Sequence, residues 1–399
     1  RDLHFTIHSF HTRRSSDLGG AGNPGIEDIP RAFHFWRSLA HWMGGMGIIV
    51  LTLAILPILG VGGMQLFKAE VPGPSADKLT PRVRETAKRL WMIYVGITVV
   101  EVLLLLPAMS VFDAVNHAFA TMATGGFSPE GGSVGDYNSA YVDWVITAFM
   151  FLAGMNFALH FRMLRGKAIT VVRDTELQVY AGITLLATAL ITLATWQPTG
   201  LTLGSVTEFA GYETLTEALR YAAFQSTSII TTTGFGTADY ELWPPLAIVT
   251  IFLLFFCGGM AGSTGGGIKI VRHVLLFKNS FKEIRQLVHP RAILPTRLNG
   301  SVVPDGVMKN VLSFVVLYFV LVVMGTGIMA ATGLDLLSAL GATIACVGNI
   351  GPGFGDFGPT ENYAQIQGVG KWILGLLMIA GRLEIFTVLI LFVPDFWRQ

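Results

Sequence analysis

Three short glycine-rich segments recur in this chain, each directly after an apolar stretch: Ala123-Thr124-Gly125-Gly126-Phe127, Thr232-Thr233-Gly234-Phe235-Gly236 and Asn349-Ile350-Gly351-Pro352-Gly353-Phe354. Taking Gly125, Gly234 and Gly351 as their centres, the spacings are 109 and 117 residues. In a lipid environment an irregular backbone is tolerated only where protein buries it or where it lines a water-filled path, because hydrocarbon offers unpaired amides no partner. One such segment reads as ordinary turn punctuation. Three in register point to a ring of carbonyl oxygens around a single ion.

The composition places these turns in a membrane. Hydrophobic residues make up 52% of the chain and charged residues 13%, against about a quarter charged in soluble domains. A span needs about 20 mostly apolar residues, and segments 33 to 62, 90 to 111, 141 to 161, 178 to 196, 244 to 277, 310 to 332 and 370 to 394 qualify. Between them, 112 to 124, 217 to 231 and 336 to 348 are too short to cross and suit re-entrant helices. The expected fold is an all-α polytopic membrane protein built from a repeated unit of helix, re-entrant helix, glycine turn and helix. Cys257 and Cys346 lie far apart in apolar surroundings and read as packing residues. A net charge of +1 without a basic stripe gives no indication of nucleic-acid binding.

Charge sets the orientation. Segments 63 to 90, 162 to 173 and 271 to 309 hold 17 of the 27 Lys and Arg residues, which places them in the cytoplasm. The stretches after the turns, 127 to 141, 236 to 243 and 352 to 363, contain no Lys or Arg but carry Glu130, Asp136, Asp239, Glu241, Asp356 and Glu361. All three turns therefore open outward beneath an acidic vestibule that concentrates cations. An alkali cation entering a narrow path must exchange its water for oxygen ligands, and carbonyls supply these without a full charge that would trap it. A re-entrant helix adds the negative end of its dipole. Thr124 and Thr231 to Thr233 add hydroxyl oxygens.

Several strings carry a family resemblance. His41-Trp42-Met43-Gly44-Gly45-Met46-Gly47, Ala261-Gly262-Ser263-Thr264-Gly265-Gly266-Gly267-Ile268-Lys269, Leu287-Val288-His289-Pro290 and Gly381-Arg382-Leu383-Glu384-Ile385-Phe386-Thr387 resemble the TrkH family, the membrane subunits of bacterial Trk potassium uptake systems within the Trk/Ktr/HKT superfamily. The resemblance runs from about residue 19 to the C-terminus. It implies membrane-pore-membrane repeats around a pseudo-fourfold axis, like a single-chain potassium channel, with the end of repeat one and its cytoplasmic loop at 19 to 89, repeat two at 90 to 173, repeat three at 174 to 300 and repeat four at 301 to 399. Repeat one is incomplete, its filter glycine falling at Gly19. Residues 1 to 18 resemble a translated sequencing adapter and read as a foreign leader. The selectivity filter implied is Gly19, Thr124, Gly125, Thr233, Gly234, Asn349, Ile350 and Gly351. The family also implies the bacterial inner membrane, lipid contact, a homodimer and a cytosolic TrkA-type regulatory subunit. Potassium is cargo; the chain itself takes no cofactor, and ATP, ADP or NAD acts only through that partner.

Two further features are placed by the resemblance. Gly258, Gly259, Gly262, Ser263, Thr264, Gly265, Gly266 and Gly267 interrupt an apolar run with glycines that abolish helix propensity, and in the family this is an intramembrane gating loop beneath the filter. The run lacks the order of a phosphate-binding loop, while close helix packing through small residues is its structural alternative. Arg382 lies in the last apolar span, where a charge must face the bundle interior or water; in the family it is a barrier in the pore, the alternative being an ion pair with Glu384. Glu101, also within a span, reads as a snorkelling or helix-paired carboxylate. His41 belongs to the family signature without establishing proton coupling. A sodium-permeable or ion-coupled secondary transporter is the competing transport mode, but inverted repeats would mark it and these turns all face one way. An integral-membrane enzyme would need paired acids at one depth, whereas Asp113, Glu217 and Asp239 are scattered.

Overall fold

The computed structural model describes residues 29 to 55, 83 to 197, 210 to 292, 294 to 383 and 385 to 389. Segments 1 to 28 and 56 to 82, with Gly19, the leader and most of the first cytoplasmic loop, lie outside them, as does Glu384. The described chain is helical apart from one two-residue hairpin, Arg297–Leu298 with Ser301–Val302, and an isolated bridge between Trp196 and Tyr212.

The helices follow the apolar segments closely. They are α1 (Arg31–Ile55), α2 (Val83–Leu105), α3 (Val111–Met122), α4 (Ala140–Ala153), α5 (Phe157–Leu164), α6 (Ala168–Val172), α7 (Thr175–Thr195), α8 (Leu215–Ile230), α9 (Pro245–Leu254), α10 (Ile270–Val288), α11 (Asp305–Ala331), α12 (Leu336–Gly348), α13 (Gly368–Arg382) and α14 (Ile385–Leu389). α7 and α11 are each long and apolar enough to cross a bilayer alone. Along α11, Val316, Val320, Val323 and Met324 leave an apolar stripe exposed, which in a membrane faces lipid.

The three short helices α3, α8 and α12 occupy the re-entrant positions. With 12, 16 and 13 residues they reach about 18 to 24 Å at 1.5 Å per residue, less than the roughly 30 Å of hydrocarbon. Each begins at a side-chain cap: Ser110 accepts from the Asp113 N–H, Thr214 from the Glu217 N–H, and Asp335 from the Leu337 and Ser338 N–H groups. These caps satisfy orphan donors at the outer end. Each helix ends in a turn among buried residues, and α8 and α12 are buried along nearly their whole inner halves.

Three expected spans are broken. Segment 141 to 161 bends by 100° between α4 and α5. At the bend, a side chain on Gly154 would strike the Tyr180 hydroxyl and the Thr231 methyl, and Asn156 restarts the helix by accepting the Ala158 N–H at 2.8 Å. Segment 244 to 277 stops at Leu254 and resumes at Ile270, with the glycine run between. Segment 370 to 394 is interrupted after Arg382. Glu101 departs from the snorkelling expectation: it is fully buried, with the Thr121 side chain beside its carboxylate.

Candidate ion-filter and gate

The three glycine turns share one backbone form. Past its final turn, each short helix makes a hydrogen bond spanning five residues: Gly125 N–H to Ala120 O at 2.7 Å, Thr233 N–H to Ser228 O at 2.9 Å, and Ile350 N–H to Ala345 O at 2.9 Å. The residue before is left-handed in each case, with φ of 52° at Thr124, 58° at Thr232 and 55° at Asn349. So is the residue after, at 66°, 80° and 110° for Gly126, Gly234 and Gly351. Bonds and dihedrals together make Gly125, Thr233 and Ile350 equivalent, and likewise Gly126, Gly234 and Gly351. The sequence pairing of Gly125 with Gly234 and Gly351 is thus one residue out: the two consecutive glycines of the second unit offered two registers, and the backbone takes Gly126.

Two of the equivalent glycines, Gly126 and Gly234, also sit alike against the neighbouring unit, while the space beside Gly351 is open among the described residues. A side chain on Gly126 would run into the Thr233 carbonyl oxygen, and one on Gly234 into the Ile350 carbonyl oxygen. Glycine is required there twice over, by a positive φ that L side chains rarely adopt and by the approach of an adjacent carbonyl. Gly125 differs, since a side chain there would meet the His41 ring.

Around these turns lies a cavity of about 440 Å³ lined by Arg37, His41, Thr124, Gly125, Asn349, Ile350, Gly351 and Arg382, among others. It brings together the expected filter residues of the second and fourth units and the expected barrier arginine. Thr233 and Gly234 stand beside it, against Gly126 and Ile350. Sequence reasoning missed Arg37, which donates to Ser128 O at 3.1 Å and lies 4.6 Å over the Phe127 ring. Its signal was a charge one helical turn before His41 in an apolar span.

Beneath the turns the glycine run forms a closed loop. Gly258 N–H bonds to Ile268 O and Ile270 N–H to Gly259 O, drawing its ends together. Its body touches the inner ends of all three short helices. The Thr264 hydroxyl donates to Met122 O at 3.0 Å, the Gly266 N–H to the Thr232 hydroxyl at 2.6 Å, and a side chain on Gly266 would press on Gly348 O. The α4–α5 break receives the other side, with Met260 N–H bonded to Gly154 O and Phe157 N–H to Gly262 O. Arg382 donates to Thr264 O at 2.8 Å, and the Lys269 ammonium donates to Gly265 O and the Ser263 hydroxyl.

A buried carboxylate holds the loop to the helix that follows it. One oxygen of Glu176, in the first turn of α7, accepts the Ala261 N–H at 2.7 Å and the Val271 N–H at 3.1 Å. It therefore caps α10 from outside while fixing the loop. Nothing in the local sequence distinguishes Glu176 from an ordinary first-turn acid; only the fold brings it to residues 85 and 95 positions away.

At the outer mouth, Glu241 of the third unit accepts the Gly355 N–H of the fourth at 2.7 Å. Burial pushes its carboxyl up to about 7, with Asp239, Glu361 and Asp356 adding to the rise and the Gly355 N–H opposing it. Tyr240 donates to Gly353 O, tying the third unit to the fourth just above the turn, and Tyr363 donates to Gly351 O within the fourth.

Comparison with known proteins gives the family. The family model described as TrkH, cation transport protein, matches residues 6 to 399, beginning within the stretch that resembles an adapter. The chain belongs to the TrkH family. It is 42% identical over 379 residues to the Trk system potassium uptake protein TrkH of Salmonella typhimurium, covering 94% of this chain and 76% of that one. Against the protein of the same name from Escherichia coli K12 it is 41% identical over 378 residues, with the same coverage. The crystal structure of the potassium transporter TrkH from Vibrio parahaemolyticus matches with a TM-score of 0.80 at 35% identity, over 98% of this chain and 78% of that one.

Two predictions follow from TrkH-family geometry in this chain. The register predicts that Gly126→Ala lowers the thermal unfolding midpoint in detergent, whereas Gly125→Ala in a His41→Ala background leaves it near that of His41→Ala alone; equal losses would remove the register. For Glu241, the folded-state pKa near 7 exceeds the ordinary carboxylate value of 4.5, so its contribution to stability is full below about pH 4.5 and is lost as pH rises through 7. Glu241→Gln, neutral at every pH, should gain in midpoint relative to the native protein from pH 5 to pH 8. A difference flat in pH would overturn the assignment.

Proposed function

We propose that this chain is a potassium-translocating subunit of the bacterial inner membrane, passing potassium inward down its electrochemical gradient. The observation that carries this is the three left-handed turns in one register, each at the inner end of a half-length helix and all touching one glycine loop beneath them. Family membership and the names of the relatives, potassium uptake proteins, support the choice of ion.

In this reading the carbonyls of Gly125, Thr233 and Ile350, with those of the flanking Thr124, Gly126, Gly234, Asn349 and Gly351, replace the ion's water, and a fourth segment near Gly19 completes a pseudo-fourfold ring. The dipoles of α3, α8 and α12 add negative potential at the inner side. The outer acids, among them Asp239, Asp356 and Glu361, raise the local cation concentration. The loop from Gly258 to Gly267 closes the path below the filter, and Arg382, bonded to Thr264 O, holds it there and opposes the cation by its charge. Opening requires the loop to leave the ends of the three short helices. The protein works as a homodimer, with a TrkA-type cytosolic subunit carrying the regulatory nucleotide and docking on the cytoplasmic face.

Uptake at micromolar external potassium in cells lacking their own uptake systems tests this reading; growth no better than the empty-vector strain would refute it. Within that assay, Arg382→Ala should raise flux severalfold, since it removes both a loop tether and a positive barrier, and unaltered or lower flux from a folded variant would contradict the barrier role. Gly234→Ser should narrow the preference for potassium over sodium about tenfold, and unchanged selectivity would count against the filter.

A further inference from the structure

The cytoplasmic half-helix α10 carries two parallel rows that nothing in the ion pathway uses. Phe277, Phe281, Ile284 and Val288, spaced i, i+4, i+7 and i+11, are between 58% and 69% exposed. Lys278, Lys282 and Arg285 run beside them at the same helical spacing. The basic row faces segment 294 to 297 across a cavity of about 510 Å³, whose lining includes Lys278, Lys282, Arg285, Arg297, Thr296 and Phe281 and no acid. The walls are joined, Lys278 donating to Arg297 O at 2.9 Å.

The patterning of the helix fits the chemistry. α10 leaves the glycine loop at Ile270. Residues Ile270, Val271, Val274 and Leu275 are buried in the protein. Beyond them the apolar and basic rows run side by side, the pattern of a helix that lies in the membrane interface. A free anion would fill the basic cavity but leave the apolar row bare. A ligand with a negative headgroup and acyl chains fits both.

We propose that the cavity between α10 and segment 294 to 297 is a binding site for the headgroup of an anionic phospholipid, whose chains cover the Phe277-to-Val288 row. The inference rests on membrane embedding and is independent of the filter and gate assignments.

The test uses the purified full chain in neutral detergent, without any cytosolic subunit, and counts bound lipid by native mass spectrometry as phosphatidylglycerol or phosphatidylcholine is titrated in. Phosphatidylglycerol should be retained in preference. Each interfacial Lys or Arg contributes roughly fivefold to anionic-lipid attraction, so Lys278→Gln with Lys282→Gln and Arg285→Gln should weaken retention about a hundredfold. Arg162→Gln with Arg165→Gln and Lys167→Gln, in another cytoplasmic loop, should not. Should the first triple variant fold poorly, Lys282→Gln alone should still weaken retention about fivefold. Equal retention by native protein and α10 variants would overturn the proposal, as would an equal loss in the control variant, which would indicate diffuse charge. Displacement of the lipid by inorganic phosphate at equal concentration would make it a free-anion site. Preference for phosphatidylcholine, or no lipid retained at all, would leave the face to a protein partner and likewise overturn it.

Discussion

Lipid offers no hydrogen bonds, and this chain nevertheless runs irregular backbone at membrane depth in the three turns, the long glycine loop and the break between α4 and α5. Each unpaired amide there costs several kcal/mol unless the protein supplies a partner. The solution is mutual. The loop's amides find Gly154 O, the Thr232 hydroxyl and the Glu176 carboxylate, while its carbonyls receive the Phe157 N–H, Arg382 and Lys269. The turns are held by five-residue bonds back into their own helices and lie glycine against carbonyl with their neighbours. The loop and the turns are thus one connected polar assembly inside an apolar shell.

That dependence explains the broken helix α4–α5. Continuous helix through 154 to 156 would consume the Gly154 carbonyl and the Phe157 amide internally, and the loop of the third unit would lose both partners. By bending 100°, the second unit frees one acceptor and one donor for a segment about 105 residues further on, and Asn156 restarts the helix. A break in one helix pair is the docking place for a distant loop. The same logic places Tyr180 and Thr231 against Gly154, where only glycine leaves them room.

The elements were legible because their signals are local. Apolar length and glycine runs mark helices and breaks, and 336 to 348 emerges with the bounds read from sequence. What was not legible depends on contacts across the chain. Gly125 and Gly126 are chemically identical, so only the bond from Gly125 N–H to Ala120 O and the position of Thr233 O tell them apart. Glu176 and Glu241 look like ordinary acids at the start of a helix and in a loop. Their roles arise from amides of the third and fourth units that reach them in space. Segment 141 to 161 satisfied every criterion for a straight span, and its bend is imposed by the partner loop rather than by its own composition.

The connectivity also links the two faces of the membrane. Glu176 bonds at once to the loop, through Ala261, and to the first turn of α10, through Val271. Because one oxygen serves both amides, α10 cannot shift along its axis by a hydrogen-bond length relative to α7 without stretching its hold on the loop. The loop in turn touches Met122 O, Thr232 and Arg382 directly below the turns. A displacement applied to the cytoplasmic end of α10 therefore reaches the base of the filter through two hydrogen-bonded steps, with no soft linker between them. A buried carboxyl serves this purpose better than a hydrophobic contact, since packing tolerates sliding whereas a hydrogen bond loses strength steeply with distance and angle.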